Sequence, residues 1–247
     1  LLGLDAFYSE EDSLPHAEYL RTYVSDRADF KNVIHLYEER EPGRPFFMFN
    51  VTMQNHGGYE REGYPAFEEK IHLTGEYEGK YQQVDTYLSL VRCSDEAVQE
   101  LVSYFANVSE DTAIIFFGDH QPNVPSAFYD ELYGNTDAER SREQKQTKLI
   151  TPFFIWANYP LEHTAAATST ADPLNRMDMV MLTPTLLQQA GLPLSDYYKY
   201  LLEMKQNTPV VTAANDYMKV DGTTAEYGAD PALDEWAKGY LMLEYNN

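Results

Sequence analysis

The sequence is short of basic residues, of cysteine and of long apolar stretches, and each shortage excludes something. Eighteen Lys and Arg stand against forty Asp and Glu, a formal net charge of −22 over 247 residues. A field of that sign repels nucleic-acid backbones and anionic bilayer surfaces, so no nucleic-acid partner is expected. It also opposes an anionic substrate, although screening over about 8 Å confines the effect to nearby charge. A site for such a substrate therefore needs a cation. The single cysteine, Cys93, rules out an intrachain disulfide and a multi-thiolate metal site. No apolar run approaches the roughly 20 residues that cross a bilayer; the longest are Pro45 to Met53 and Ala113 to Phe117. The chain also starts without Met and without a basic segment leading into an apolar one, so Leu1 is expected to be a processing boundary within a longer protein.

What is present is enough to build a core. Hydrophobic residues make up 43% of the chain and aromatic residues 14%, which suits one globular domain over residues 1–247, with residues 206–247 as a C-terminal extension carrying a helix. Pro45 to Met53 (PFFMFNVTM) reads as a buried strand, bounded by Gly43 and by the Asn55-His56-Gly57-Gly58 turn. From Tyr81 to Phe105 the residues Val84, Leu88, Val91, Val98, Leu101, Val102 and Phe105 recur at helical spacing and predict a long amphipathic helix. Thr112 to Phe117 follows as a second apolar strand. Strand, helix and strand suggest a parallel βαβ unit buried on both faces. The polar stretch Tyr133 to Lys148 reads as an exposed loop leading to a third strand, Leu149 to Ala157, placed at an edge by Pro152. Beyond it, Thr183-Pro184 followed by TLLQQAG predicts a helix capped by Thr183 and closed by Gly191. A further helix is expected over Ser195 to Met204, and another over Pro231 to Tyr245.

Ligands of an open parallel α/β sheet bind beyond the carboxyl ends of its strands. Two polar clusters are expected there: Gln54-Asn55-His56-Gly57-Gly58 after the first strand and Gly118-Asp119-His120-Gln121 after the second. A carboxylate beside an imidazole offers hard oxygen and borderline nitrogen, suited to manganese, magnesium or zinc according to the other ligands. Taken alone, Asp119-His120 reads rather as a turn cap beside a surface hydrogen bond, and His56 as an ordinary loop histidine. His16, His35, His72 and His163 lack comparable settings.

VTMQNHGGY (Val51 to Tyr59) followed by IIFFGDHQP (Ile114 to Pro122) resembles the alkaline phosphatase and sulfatase superfamily, and within it the lipoteichoic acid synthase-like proteins. DMVMLTPTLLQQAGLP (Asp178 to Pro193) is similar to that family's carboxyl-terminal helix motif, and SDRADF (Ser25 to Phe30) to the helix start before its first strand. The resemblance implies an α/β fold with a mostly parallel sheet and flanking helices, incomplete on its N-terminal side. It implies a metal-dependent phosphoglycerol transferase working on phosphatidylglycerol-type head groups through a threonine nucleophile. Asp119 and His120 would then ligate one divalent cation, manganese in this branch, with Mg2+ or Zn2+ as alternatives, and His56 would contact substrate. Neither the nucleophile block nor the early acidic ligand block is found before residue 25, so this chain alone is expected to be inactive and prone to self-association. Its parent is expected to be membrane-anchored upstream, at the outer surface of a bacterium. A sulfate or phosphate ester hydrolase of the same superfamily is the rival reading, and a noncatalytic domain binding a head group or a protein is the third.

Overall fold

A computed structural model describes the chain except residues 1–2, 10, 13, 61, 63, 65–66, 163–175, 212–215 and 247, so His163 lies outside the described residues. The chain forms two compact units, one of residues 1–108 and 120–139, the other of residues 109–119 and 140–247.

The first unit is built on two helices. Ser25 has extended backbone and its hydroxyl accepts the Ala28 N–H at 3.1 Å, so α1 (Asp26–Glu38) starts where the side chain satisfies an orphan amide. Asp26 and Asp29 in its first turn complement the helix dipole. The helix expected from the apolar spacing is α2 (Gln82–Phe105). Its buried stripe is rotated from the expected one, however. Val91 is 37% exposed, whereas Asp85, Thr86, Ser89 and Ser94 are buried beside Val84, Leu90 and Leu101. The helices are locked by edge-to-face rings, Tyr37 on Phe105 at 5.0 Å between centroids. Before α1 lies a minimal antiparallel hairpin, β1 (Tyr19–Leu20) and β2 (Tyr23–Val24). After α2 in this unit comes α3 (Ser126–Tyr133), closed by Gly134 in the left-handed region. Tyr59, Tyr81, Val84, Leu90, Val124 and Tyr129 form the core.

Pro45 to Met53, expected as a buried parallel strand, is not a strand here. It keeps the alternation of one: Phe46 packs edge-to-face on Tyr37, Asn50 bonds Asp29, and Gln54 is buried, while Phe47, Phe49 and Val51 are 76%, 64% and 62% exposed. Among the described residues no neighbouring backbone forms a ladder with it, and a strand exists only by such pairing.

In the second unit β3 (Ala113–Phe117) pairs with β4 (Phe153–Ala157), with Ala113 opposite Ala157 and Phe117 opposite Phe153. This pairing is antiparallel, as is every pairing among the described residues. The α/β class stands, but the expected parallel βαβ unit does not form between these segments. The expected loop before β4 contains a short helix, α4 (Arg142–Thr147), started by a reciprocal capping box between Ser141 and Gln144 that outweighs the polar composition. The helix expected to be capped by Thr183 begins earlier. Asp178 caps a 3₁₀ turn, Met179–Met181, that runs into α5 (Leu182–Gln189), so Pro184 sits inside the first turn, where its missing N–H costs nothing. Gly191 closes the end with φ +66, as expected. Ser195 caps α6 (Asp196–Lys205). A three-stranded antiparallel sheet of β5 (Val210–Val211), β6 (Asp216–Met218) and β7 (Thr224–Glu226) leads to α7 (Pro231–Asn246). Tyr240 of α7 joins Met181, Leu201 and Met204 in one core cluster.

The approach of α7 to α6 is set by Gly239. A Cβ there would collide with the Tyr200 hydroxyl, which donates to the Trp236 carbonyl at 2.7 Å. Gly239→Ala is expected to lower stability by about 1–2 kcal/mol through overpacking, despite the gain of about 1 kcal/mol from helix propensity. Adding Tyr200→Phe should restore part of the loss. Urea unfolding of the single and double variants checks this; a stabilised single variant would show that propensity wins.

Candidate functional site

The site residues of the first unit are held by a buried amide. Gln54 is 1% exposed. Its Oε1 accepts the Asp26 N–H at 3.0 Å, and its Nε2 donates to the Leu90 carbonyl at 3.1 Å and to Ser94 Oγ at 2.9 Å. Asn55 Nδ2 donates to the same hydroxyl at 2.8 Å, and Ser94 in turn donates to Asp26 Oδ2. Ser94 thus uses both lone pairs and its proton. The start of α1, the middle of α2 and the Gln54-Asn55 turn are tied at one point. The Tyr59 hydroxyl donates to the Asn55 carbonyl at 2.7 Å and closes the turn from its other side.

This anchoring fixes where His56 emerges. The ring is exposed. Its Nδ1 lies 3.2 Å from the Tyr23 hydroxyl, and the two rings meet edge-to-face at 5.7 Å. The His120 ring stands 6.4 Å from His56, at 86° to it. Two imidazoles 64 residues apart in sequence are therefore brought together. The expectation that they share a locality rested on parallel strands; the contact is made instead by the Gln54 anchor and the Tyr23 hairpin.

Asp119 and His120 directly follow β3 and Gly118, both exposed. Gly118 is needed there, since a Cβ would come within 3.2 Å of Thr151 Cβ. His120 Nδ1 lies 2.9 Å from the Gln121 carbonyl oxygen. A carbonyl only accepts, so this nitrogen carries a proton, and in the neutral ring the lone pair is then on Nε2. A backbone carbonyl holding the other ring nitrogen is the usual arrangement of a metal-bound histidine. Together with the Asp119 carboxylate the donor chemistry fits two ligands of a divalent cation. Among the described residues no group of three His, Cys, Asp or Glu side chains is gathered for a metal, so the pair is a partial set.

Sequence reasoning named Gln54 only as part of a polar cluster and missed Tyr23, Asp26 and Ser94. A glutamine directly after an apolar run, and serines spaced into an apolar helical stripe, were the available signals. Asn55 donates to Ser94. Among the described residues no helix is long and apolar enough to cross a membrane.

Comparison with known proteins agrees with these blocks. The sulfatase family profile, described as "Sulfatase", matches residues 2–192. The chain is 26% identical over 248 residues to a Rhizobium meliloti protein named "Putative cyclic beta-1,2-glucan modification protein", covering 99% of this chain and 37% of that one. Its fold matches, with a TM-score of 0.64 and 18% identity, the Streptococcus pyogenes phosphoglycerol transferase GacH solved in complex with sn-glycerol-1-phosphate, over 95% of this chain and 52% of that one. The chain thus spans about half the length, or less, of the relatives it matches.

Burial pushes the Asp26 carboxyl above the usual aspartate range, an effect only partly offset by the Ser94 hydrogen bond. Folding favours the neutral form relative to the unfolded chain, so this contribution to stability is complete below the unfolded pKa of about 3.9 and is lost as pH rises through the higher folded value. Asp26→Asn keeps an acceptor for Ser94 and cannot ionise. Its stability relative to the parent is expected to improve as pH rises from 4 toward 7, read by urea unfolding at each pH. A constant difference would show that folding leaves the Asp26 pKa at its unfolded value.

Proposed function

We propose, for a chain that belongs to the sulfatase family, that the whole protein is a metal-dependent phosphoglycerol transferase acting on phosphatidylglycerol-type head groups at the outer surface of a bacterial cell. The observation that carries this reading is the meeting of His56, held by Tyr23, with His120 of the Gly118-Asp119-His120 block. The likeness in fold to a phosphoglycerol transferase supports it. The name of the Rhizobium relative favours a carbohydrate hydroxyl as acceptor. The reading assigns the threonine nucleophile to a part of the protein outside residues 1–247.

Asp119 and His120 would hold one divalent cation, manganese in the first instance and Mg2+ or Zn2+ otherwise. That cation supplies charge neutralisation at a phosphoryl oxygen and acidifies a hydroxyl bound to it. The remaining chemistry falls to this chain's side chains. In the tautomer in which the Tyr23 hydroxyl donates to Nδ1, the His56 proton is on Nε2, and this N–H would meet a phosphate oxygen or the departing glycerol oxygen. Tyr23 fixes the ring's direction, and the Gln54–Ser94 anchor fixes the depth of the loop. A phosphate oxygen facing His56 finds a donor already oriented, so little ordering remains to be done when the substrate arrives.

The test uses the whole protein with a fluorescent phosphatidylglycerol and a soluble glucan, following release of diacylglycerol and phosphoglycerol attached to the glucan. His56→Ala is expected to lower kcat by about 100-fold with the manganese concentration for half-activation unchanged. Asp119→Ala should raise that concentration or abolish the response. Residues 1–247 alone should show no turnover. Saturable, metal-dependent hydrolysis of an aryl sulfate with no diacylglycerol release would replace the transferase by the hydrolase reading.

A further inference from the structure

We infer that Arg21 is an anion-contacting residue, whose guanidinium takes a negatively charged, phosphate-class group of the ligand that lies beside His56. The identity of the ligand class rests on the phosphoglycerol reading; the anion site itself rests on the following geometry.

Arg21 occupies the turn of the β1–β2 hairpin with φ +62, and it is the only non-glycine residue with positive φ among those described. Two-residue hairpin turns demand such angles and are normally filled by Gly, Asn or Asp. An arginine there is strained, and strain of this kind gathers at ligand-contacting positions. The side chain lies over two rings, with Cζ 5.7 Å from the Tyr59 centroid and 5.2 Å from that of Tyr64. Its Nε and Nη1 are shut away from water and have no hydrogen-bond partner. Glu60, the nearby carboxylate, accepts instead from Gln83 at 3.1 Å, and among the described residues no acid pairs with Arg21. The guanidinium is permanently charged, so a partly dehydrated cation stands near Glu60 but without an ion-pair contact among the described residues.

The remaining nitrogen, Nη2, is the open end. It lies 3.6 Å from where a Cβ of Gly58 would stand, a point that Glu60 Oε2 approaches to 4.0 Å. Gly58 is two residues from His56, at most about 7 Å along the chain. On the other side Arg21 is two residues from Tyr23, whose hydroxyl meets His56. Both links tie the Arg21 turn to the neighbourhood of His56. Incomplete hydration strengthens the field at the exposed end, and guanidinium geometry matches phosphate oxygens better than an ammonium does.

The experiment titrates inorganic phosphate into the full chain by calorimetry at fixed ionic strength, for the parent, Arg21→Gly and Arg21→Lys, with a thermal melt of each. Arg21→Gly relaxes the backbone and removes the cation. It is expected to melt no lower than the parent while weakening phosphate about tenfold, the size of one charged hydrogen bond. Arg21→Lys should fall between the two. Unchanged phosphate affinity in a folded Arg21→Gly overturns the inference, as does the absence of saturable phosphate binding by the parent chain. A residue that merely packs on Tyr59 and Tyr64 would lower the melting temperature in both variants and leave affinity intact; should Arg21→Gly not fold, the lysine variant decides on the same criterion. Failure of the transferase reading shows separately, as no diacylglycerol release by the whole protein while phosphate affinity still depends on Arg21.

Discussion

A primary amide that has been taken out of water must find every one of its partners, because each unmade hydrogen bond costs about 1–3 kcal/mol. Gln54 meets that requirement in the first unit by reaching simultaneously to the start of α1, the Leu90 carbonyl and the Ser94 hydroxyl. The rest of the locality follows. α1 cannot slide along α2 without breaking the bond between the Asp26 N–H and the amide, and the turn that carries Asn55 and His56 cannot lift without stranding Ser94. Such a network specifies one arrangement because any half-satisfied alternative is worse than none. Burial is the first cause of the upward pKa shift at both Asp26 and Asp29, in keeping with carboxyls drawn out of water here.

The helices were largely legible in the sequence because their signals are local. Helices were expected to start near Ser25 and at Ser195, and those two residues prove to cap them, while the spacing from Tyr81 to Phe105 gave α2 within one residue. The Ser141 to Gln144 box was equally local and was passed over for composition. Strand pairing is not local: the apolar run at Pro45 to Met53 reports a preference for being paired, and whether a ladder forms depends on backbone elsewhere. Even so, the alternation of that run survives, with one side on α1 and the other outward.

The site was legible in a different way. His56, Asp119 and His120 stood out by their residue types and by the motif blocks around them, whereas the groups that hold them did not. Tyr23 and Arg21 sit in a hairpin of two-residue strands, too short for a periodicity to register. Ser94 looks like an ordinary polar interruption in an amphipathic helix. Residues that touch a ligand are constrained in chemistry and can be recognised singly; residues that orient them are constrained only by position, and position needs coordinates.

The outward row of Phe47, Phe49 and Val51 bears on how this protein behaves in a test tube. From Phe46 to Met53 there is no charged side chain, no proline and no glycine, a composition prone to intermolecular β-pairing. What keeps two copies apart is then not local sequence but the excess of acid over the whole surface, a repulsion with a range of only about 8 Å at physiological ionic strength and about 3 Å in molar salt. Solutions of this chain should therefore clear on dilution into low salt and cloud as salt is added, the reverse of a protein whose copies attract through opposite charges.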